Sequence, residues 1–180
     1  MVSKMEDIII AVDFEDRPIK PVSKTDAHAK SIFHRAFSVI LFDDQKKILM
    51  QKRAFSKYHC GGLWSNTCCS HPIWEEPLLS AVYRKLEQEL GITSVDVHEI
   101  GHMRYYYQFD NGLSEFEYDH IFVGYFDGEI NINTNEVDSI KWMEIEKICE
   151  DVVNNPRQFT PWFIQMLPFI KKYTMKDLDD

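Results

Sequence analysis

The residues of this 180-residue chain that could do chemistry fall into two pairs spaced two apart and two single histidines. Cys69 and His71 stand just before Pro72, Glu115 and Glu117 flank Phe116, and His28 and His34 lie nearer the N-terminus. In an extended strand, residues two apart face the same side, so each pair can point jointly into one site. Two neighbouring carboxylates repel unless something positive sits between them. Three imidazoles and two carboxylates suit a borderline-to-hard divalent metal such as zinc, manganese or magnesium. A thiol, whose ordinary pKa is about 8.5, exchanges protons near neutrality once its surroundings tune it. A plainer reading stands beside this one. Glu115 and Glu117 could lie on a solvated strand face, and His28 and His34 could be satisfied surface histidines. Spacing alone does not make the five converge.

Glu89 breaks a local rule. At about 100° per residue, Leu78, Val82, Leu86 and Leu90 form one apolar helical stripe. Glu89 projects within that stripe and Glu87 roughly opposite it. An inward carboxylate is costly unless a donor or cation meets it. Glu89 either caps a neighbouring backbone, pairs with Arg84 or Lys85, or holds a metal. In Tyr105-Tyr106-Tyr107 strand alternation should bury about half of the rings, and Trp162, behind Pro161, should be buried at the start of a helix.

These side chains need elements to carry them. A strand is expected from Ile8 to Phe14, closed by Glu15-Asp16-Arg17-Pro18. Ala36 to Phe42 and Ile48 to Arg53 flank Asp43-Asp44-Gln45-Lys46 and read as a hairpin. Cys60-Gly61-Gly62 marks a loop, and Asn66 to His71 a short extended piece. Pro77 to Leu90 is the clearest helix. Pro77 suits its first turn, Glu75 and Glu76 the positive end of its dipole, and Gly91 its C-cap. Val95 to Asp110 and Ser114 to Phe126 flank Asn111-Gly112, the strongest short hairpin signal. By alternation on the second arm, His120 turns to the side away from Glu117. Val137 to Met143 is a strand, and Glu144 to Asn154 and Pro161 to Tyr173 are closing helices. The order β-β-β-α-β-β-β-α-α implies an α+β fold with a mixed sheet, in one domain over residues 1–180.

Apolar content of 44% and charged content of 27% are ordinary for a globular protein. A net charge of -9 argues against nucleic-acid recognition through a general basic field. An anionic substrate must instead meet a local cluster of Lys and Arg, or a metal. The four cysteines, Cys60, Cys68, Cys69 and Cys149, lack zinc-ribbon spacing. Met1 to Phe14, with Lys4, Glu6 and Asp7 around one short apolar run, does not read as a signal peptide. No stretch approaches the roughly 18 apolar residues of a membrane span. A cytoplasmic protein with reduced thiols is expected, with Cys60 and Cys149 structural.

Longer motifs narrow the reading. His34-Arg35-Ala36-Phe37-Ser38-Val39, followed by Trp64-Ser65-Asn66-Thr67-Cys68-Cys69-Ser70-His71-Pro72, resembles the paired signature of type I isopentenyl-diphosphate isomerases. Glu115-Phe116-Glu117-Tyr118-Asp119 resembles that family's Glu-x-Glu segment, and Thr160-Pro161-Trp162-Phe163 its C-terminal motif. The resemblance runs in order from about Lys24 to Lys172. The family is a branch of the Nudix fold, and the frame of the Nudix helix is kept at Glu76, Arg84, Leu86, Glu89, Gly91 and Ile92. It departs at Ser70 for the opening Gly, Lys85 for the Glu after Arg, and Gln88 for a further Glu. Those two lost carboxylates argue against metal-assisted hydrolysis and agree with the isomerase branch, in which this box is degenerate.

The resemblance implies a Nudix-like mixed β-sheet sandwiched by helices. It also implies interconversion of isopentenyl and dimethylallyl diphosphate through a tertiary carbocation, in isoprenoid biosynthesis. By the same resemblance, His28, His34, His71, Glu115 and Glu117 would ligate one tightly bound divalent metal, manganese, zinc or magnesium. Glu89, near the Cys69 backbone, would help hold a magnesium that accompanies the diphosphate. Lys24, Arg53, Lys57 and Lys85 would contact the diphosphate. Cys69, Glu117 and Tyr105 would move protons, and Trp162 would cover the hydrocarbon tail. The expected partner is a small isoprenoid diphosphate, with neither nucleic acid nor membrane, and the chain a monomer or weak dimer. Two alternatives are a Nudix pyrophosphohydrolase, in which Cys69 and His71 are incidental, and a metal-binding domain without catalysis.

Overall fold

The computed structural model describes residues 7–57 and 59–176. The opening of the stretch read above as no signal peptide, residues 1–6 with Lys4 and Glu6, lies outside them. β3 (His34–Phe42) is the axis of the molecule. Its Phe37, Val39 and Leu41 pack on Ala81, Val82, Leu86 and Leu90 of α2 (Leu78–Leu90). Its Ile40 and Phe42 point the other way, into a core with Ile148 of α3 (Ile145–Asn154) and Phe163, Met166 and Ile170 of α4 (Pro161–Lys176). A strand buried on both faces reads as a continuous apolar run, and Ala36–Phe42 is one. β3 pairs in parallel with β8 (Ser114–Tyr125), which pairs antiparallel with β7 (Val97–Gln108). β4 (Ile48–Arg53) pairs antiparallel with β9 (Val137–Met143). The sheet is therefore mixed and lies between helices on both faces. No helix among the described residues is long and apolar enough to cross a membrane.

The hairpin expected between β3 and β4 exists only at its turn. Phe42↔Ile48 is their register pair, and Asp43 Oδ1 closes the turn by accepting from the amides of Gln45 at 2.9 Å and Lys47 at 2.7 Å. Beyond it the strands part, β3 toward β8 and β4 toward β9. Two short strands fill the wedge: β5 (Trp64–Ser65) pairs with β4, and β6 (Cys68–Ser70) with β3. Side chains between them stand in for the missing ladder. Thr67 Oγ1 accepts from the Leu41 amide and donates to the Leu49 carbonyl, both at 2.8 Å. Asn66 Nδ2 donates to the carbonyls of Val39 at 3.1 Å and Cys68 at 2.8 Å. A buried backbone group left unpaired costs about 1–3 kcal/mol, so these two side chains allow the split to persist.

Several expectations are corrected. β1 (Ile8–Val12) stops before Phe14, because Asp13 starts a turn by accepting from the amides of Glu15 and Arg17. β2 (Pro18–Ser23) and α1 (Lys24–Ala29) were not in the expected order of elements. β2 is an edge strand, where Pro18 and Pro21 are tolerated. α1 is too short to show a period, and is started by Ser23 Oγ accepting from the Asp26 amide at 3.1 Å. Pro77 is the N-cap of α2, outside its first turn, and Glu75 sits in the left-handed region at φ 67. Glu76 does not serve the dipole: it accepts from the Ile73 amide at 2.9 Å and pairs with Arg84 at 2.6 Å. Gly91 caps α2 at φ 67 as expected. The β7–β8 loop runs over residues 109–113 around Gly112 at φ 85, longer than a two-residue turn.

Candidate active site

β8 carries Glu115 and Glu117 on the face of Ile121 and Val123, toward α4. They are 3% and 6% exposed, which removes the solvated-face reading. Parallel pairing sets His34 of β3 opposite Glu117. α1 supplies His28, and the chain leaving β6 supplies His71. One ligand atom from each of these five residues lies within 4.8 Å of all the others. His28 Nε2 is 3.1 Å from Glu115 Oε2, and His71 Nε2 is 2.9 Å from Glu117 Oε1. His34 Nε2 is 3.5 Å from the same Glu117 oxygen and 3.2 Å from His71 Nε2.

Two observations test whether this set fits a divalent metal. His34 Nδ1 lies 2.7 Å from the Ile32 carbonyl, which can only accept, so Nδ1 carries a proton and it is Nε2 that faces the cluster, with a lone pair to offer whenever the ring is neutral. Glu115 Oε2 is buried and makes no hydrogen bond. Burial pushes His71 down to about 3, keeping the imidazole neutral. Burial opposes charge on His34, but the Glu117 carboxylate outweighs it and raises the pKa. Burial also works against ionised Glu115, but His28 and His59 outweigh it and hold the carboxyl well below the usual range. Glu117 is lowered as well, with His34 and His71 outweighing burial and the charge of Glu115. Two ionised carboxylates beside three imidazoles, one of them His71 held neutral, fit a divalent cation.

Cys69 and Cys68 face opposite ways. Cys68 packs in the α2 core with Sγ 3.6 Å from Glu89 Oε2. Cys69 packs on the α4 side and lines a cavity shared with Glu117, Tyr105 and Trp162. Burial pushes the Cys69 thiol up to about 12, so it stays protonated. Tyr105 donates its hydroxyl to Glu117 Oε2 at 2.6 Å, and burial with that carboxylate raises its pKa well above the ordinary value. Tyr105 is buried, whereas Tyr106 and Tyr107 are exposed. Trp162 donates Nε1 to Ser65 Oγ at 3.0 Å, and its ring centroid lies 5.3 Å from the Arg53 guanidinium carbon.

The four expected basic residues line the same cavity, Lys24 from α1, Arg53 from β4, Lys57 from the following loop and Lys85 from α2. Burial lowers the Lys24 pKa. Lys57 pairs with Glu136. Glu89 is buried, 3.0 Å from Lys85 Nζ, and accepts from Gln51 Nε2 at 3.0 Å. Of the two pairings open to it, Lys85 is the one made, because Arg84 is taken by Glu76. The α2 residues Lys85 and Glu89 and the α4 residue Trp162 share the cavity because it runs through the split between β3 and β4.

Sequence reasoning missed three residues. His59 Nε2 lies 2.6 Å from Glu115 Oε1, and no periodicity marks it in its loop. Asp119 continues the parity of Glu115 and Glu117, a signal that could have found it. It is buried, accepts from Ser38 Oγ at 2.8 Å, and burial with the charge of Glu117 raises it well above the carboxylate range. Gln51 holds Glu89 and also donates to the Thr67 carbonyl at 2.9 Å. His120 faces away from the cluster, between Glu99 at 2.7 Å and Asp16 at 2.8 Å. Cys60 and Cys149 are free, half-buried thiols.

Comparison with known proteins shows which family and fold carry this geometry. Residues 32–163 match the family described as NUDIX domain. A Serratia proteamaculans protein named isopentenyl-diphosphate Delta-isomerase is 40% identical over 163 residues, covering 91% of this chain and 90% of the relative. A Burkholderia multivorans protein of the same name is 42% identical, covering 91% and 92%. Among solved structures, one from Deinococcus radiodurans superposes with a TM-score of 0.67 at 15% identity, covering 82% of this chain and 89% of that one. A MutT protein from Methanosarcina mazei gives 0.63 at 16%, covering 81% and 95%. At those identities the structural matches speak for the fold alone.

Proposed function

Because the chain belongs to the NUDIX family and, within it, to the isopentenyl-diphosphate Delta-isomerases, we propose that its cavity moves the double bond of isopentenyl diphosphate to give dimethylallyl diphosphate. One observation carries the assignment to this cavity. A protonated thiol and an ionised carboxylate, Cys69 and Glu117, line one pocket together with the indole of Trp162. The reaction needs a proton delivered to the terminal alkene carbon and another removed two carbons away, with positive charge on the tertiary carbon between them. A donor and an acceptor on one hydrocarbon chain meet that need.

Cys69 brings a proton and Glu117 an acceptor oxygen. The reverse direction starts from the opposite protonation states, a Cys69 thiolate and a protonated Glu117, with the Tyr105 hydroxyl holding Glu117 Oε2 in place. After one passage the two walls have exchanged protonation states, and proton exchange with water at the cavity mouth resets them. The face of Trp162 attracts a cation by up to ~2 kcal/mol or more when desolvated. At ~1.4 kcal/mol per tenfold, that changes the rate by more than an order of magnitude. A dry pocket also keeps water from trapping the cation.

Lys24, Arg53, Lys57 and Lys85 answer the diphosphate charge, which a chain of net charge -9 cannot do by its overall field. His28, His34, His71, Glu115 and Glu117 would hold one divalent metal, manganese, zinc or magnesium, and Glu89 a magnesium arriving with the substrate. A bound cation there would supply positive charge that offsets the paired carboxylates and keeps Glu117 oriented. Lys85 supports isomerisation over hydrolysis. It places an ammonium 3.0 Å from Glu89, where the hydrolase box carries another carboxylate.

The test is turnover of isopentenyl diphosphate in deuterated water, followed by proton NMR. Deuterium should enter the new methyl group and the allylic carbon. Phosphate release from nucleoside diphosphate compounds without any double-bond shift would overturn the reading in favour of a hydrolase. Metal uptake with indifference to both substrates would leave a binding domain.

A further inference from the structure

His59 joins three parts of the site. Its Nε2 lies 2.6 Å from Glu115 Oε1, and a carboxylate only accepts, so Nε2 carries the proton and donates it. Its ring stands edge-on to Trp162, with centroids 5.9 Å apart, and packs on Phe109 at 5.0 Å. Its carbonyl accepts from Arg53 Nη2 at 3.4 Å. The loop between β4 and β5 that carries it also carries Lys57. Glu115 thus has one oxygen occupied, while Oε2, buried and without a hydrogen bond, points toward His28.

We propose that His59 is a positioning residue of the metal centre: its N–H holds Glu115 so that Oε2 alone is presented to the cation, and the same bond ties the loop carrying Lys57 to that centre. The inference rests on the five-residue cluster being a metal centre. A carboxylate free to turn about its last bond must be ordered when the cation arrives. A fixed donor on one oxygen removes that cost and selects single-oxygen ligation. The bond works in both directions. What holds Glu115 in place also holds the loop where Lys57 meets a diphosphate, and such coupling is reciprocal.

The experiment compares wild type, His59→Phe and His59→Gln as full chains stripped of metal and titrated with manganese by calorimetry. Phenylalanine keeps the aromatic packing and deletes the donor, and the glutamine amide can reach the same oxygen. Loss of the donor should weaken manganese binding by about 10–100-fold, with glutamine recovering most of it. At saturating manganese, KM for isopentenyl diphosphate should rise by about tenfold in His59→Phe while kcat changes little. Wild-type manganese affinity in a folded His59→Phe, or a glutamine variant no tighter than phenylalanine, overturns the proposal. So does a loss confined to kcat. If His59→Phe fails to fold, wild-type affinity in His59→Ala is the overturning result. Failure of the wild type itself to bind manganese refutes the metal centre instead.

Discussion

Two adjacent thiols are separated in role by strand parity alone. Cys68 and Cys69 differ by one position on β6, which sends Cys68 into the α2 core and Cys69 into the cavity. General acid–base groups contribute about 10²–10⁴ in rate. Cys69→Ala should therefore reduce turnover by about that factor while elemental analysis finds the metal content unchanged. Cys68→Ala should leave most of the activity. Near-normal turnover in the first variant removes Cys69 from the proton path. Abolished turnover with an intact fold in the second means that the wrong neighbour was chosen.

A strand separates functions in the same way over a longer reach. One face of β8 holds Glu115, Glu117 and Asp119, and the other holds Tyr118 and His120. His120 ties β8 to Glu99 of β7 and to Asp16 in the β1–β2 turn, where Arg35 of β3 also binds. Burial opposes charge on His120, but Asp16 and Glu99 outweigh it and its pKa is raised above 6.5. Its contribution to stability is therefore fully present below about 6.5 and is lost as pH rises through the folded value. Burial likewise opposes charge on Asp16, but His120 and Arg35 outweigh it and the pKa falls below 3.8. The Asp16 share is present above 3.8 and is lost as pH falls through its folded value. The Tm gap between wild type and His120→Ala should be widest between about pH 5 and 6.5 and narrow toward pH 9. A gap that is constant with pH would mean that His120 matters only as packing.

At the scale of the molecule, the split between β3 and β4 makes a passage through the sheet, lined by α2 on one side and α4 on the other. Into it the fold places the ionised pair Glu115 and Glu117, a combination that is costly to bury alone. A cation bound only by the native state should stabilise the whole domain, by about 2.7 kcal/mol at a hundred times its Kd. In a domain of this size that corresponds to roughly 5–10 °C in Tm. Calorimetry of the metal-loaded protein before and after chelation should show a fall of about that size. An unchanged Tm, with metal loss verified, would contradict a centre built on these carboxylates.

Residue parity, helix period and motif were legible in the chain itself because they are local. The apolar stripe of α2, the inward Glu89, the outward turn of His120 and the shared face of Glu115 and Glu117 follow from periods of 3.6 and 2, and the Gly91 cap from glycine's freedom at positive φ. The residues of the donor set were legible too, through spacing and then through the resemblance. What lay beyond local pattern was decided by tertiary structure. β2 and α1 are too short or too rich in proline to announce themselves, yet α1 delivers Lys24 and His28. β3 and β4 look like an ordinary hairpin, yet past the turn β3 pairs with β8 and β4 with β9. His59 meets Glu115 only because a loop after β4 folds over a strand distant in sequence. Convergence of that kind depends on which strands pair and in what direction, a long-range choice that no window of neighbouring residues contains.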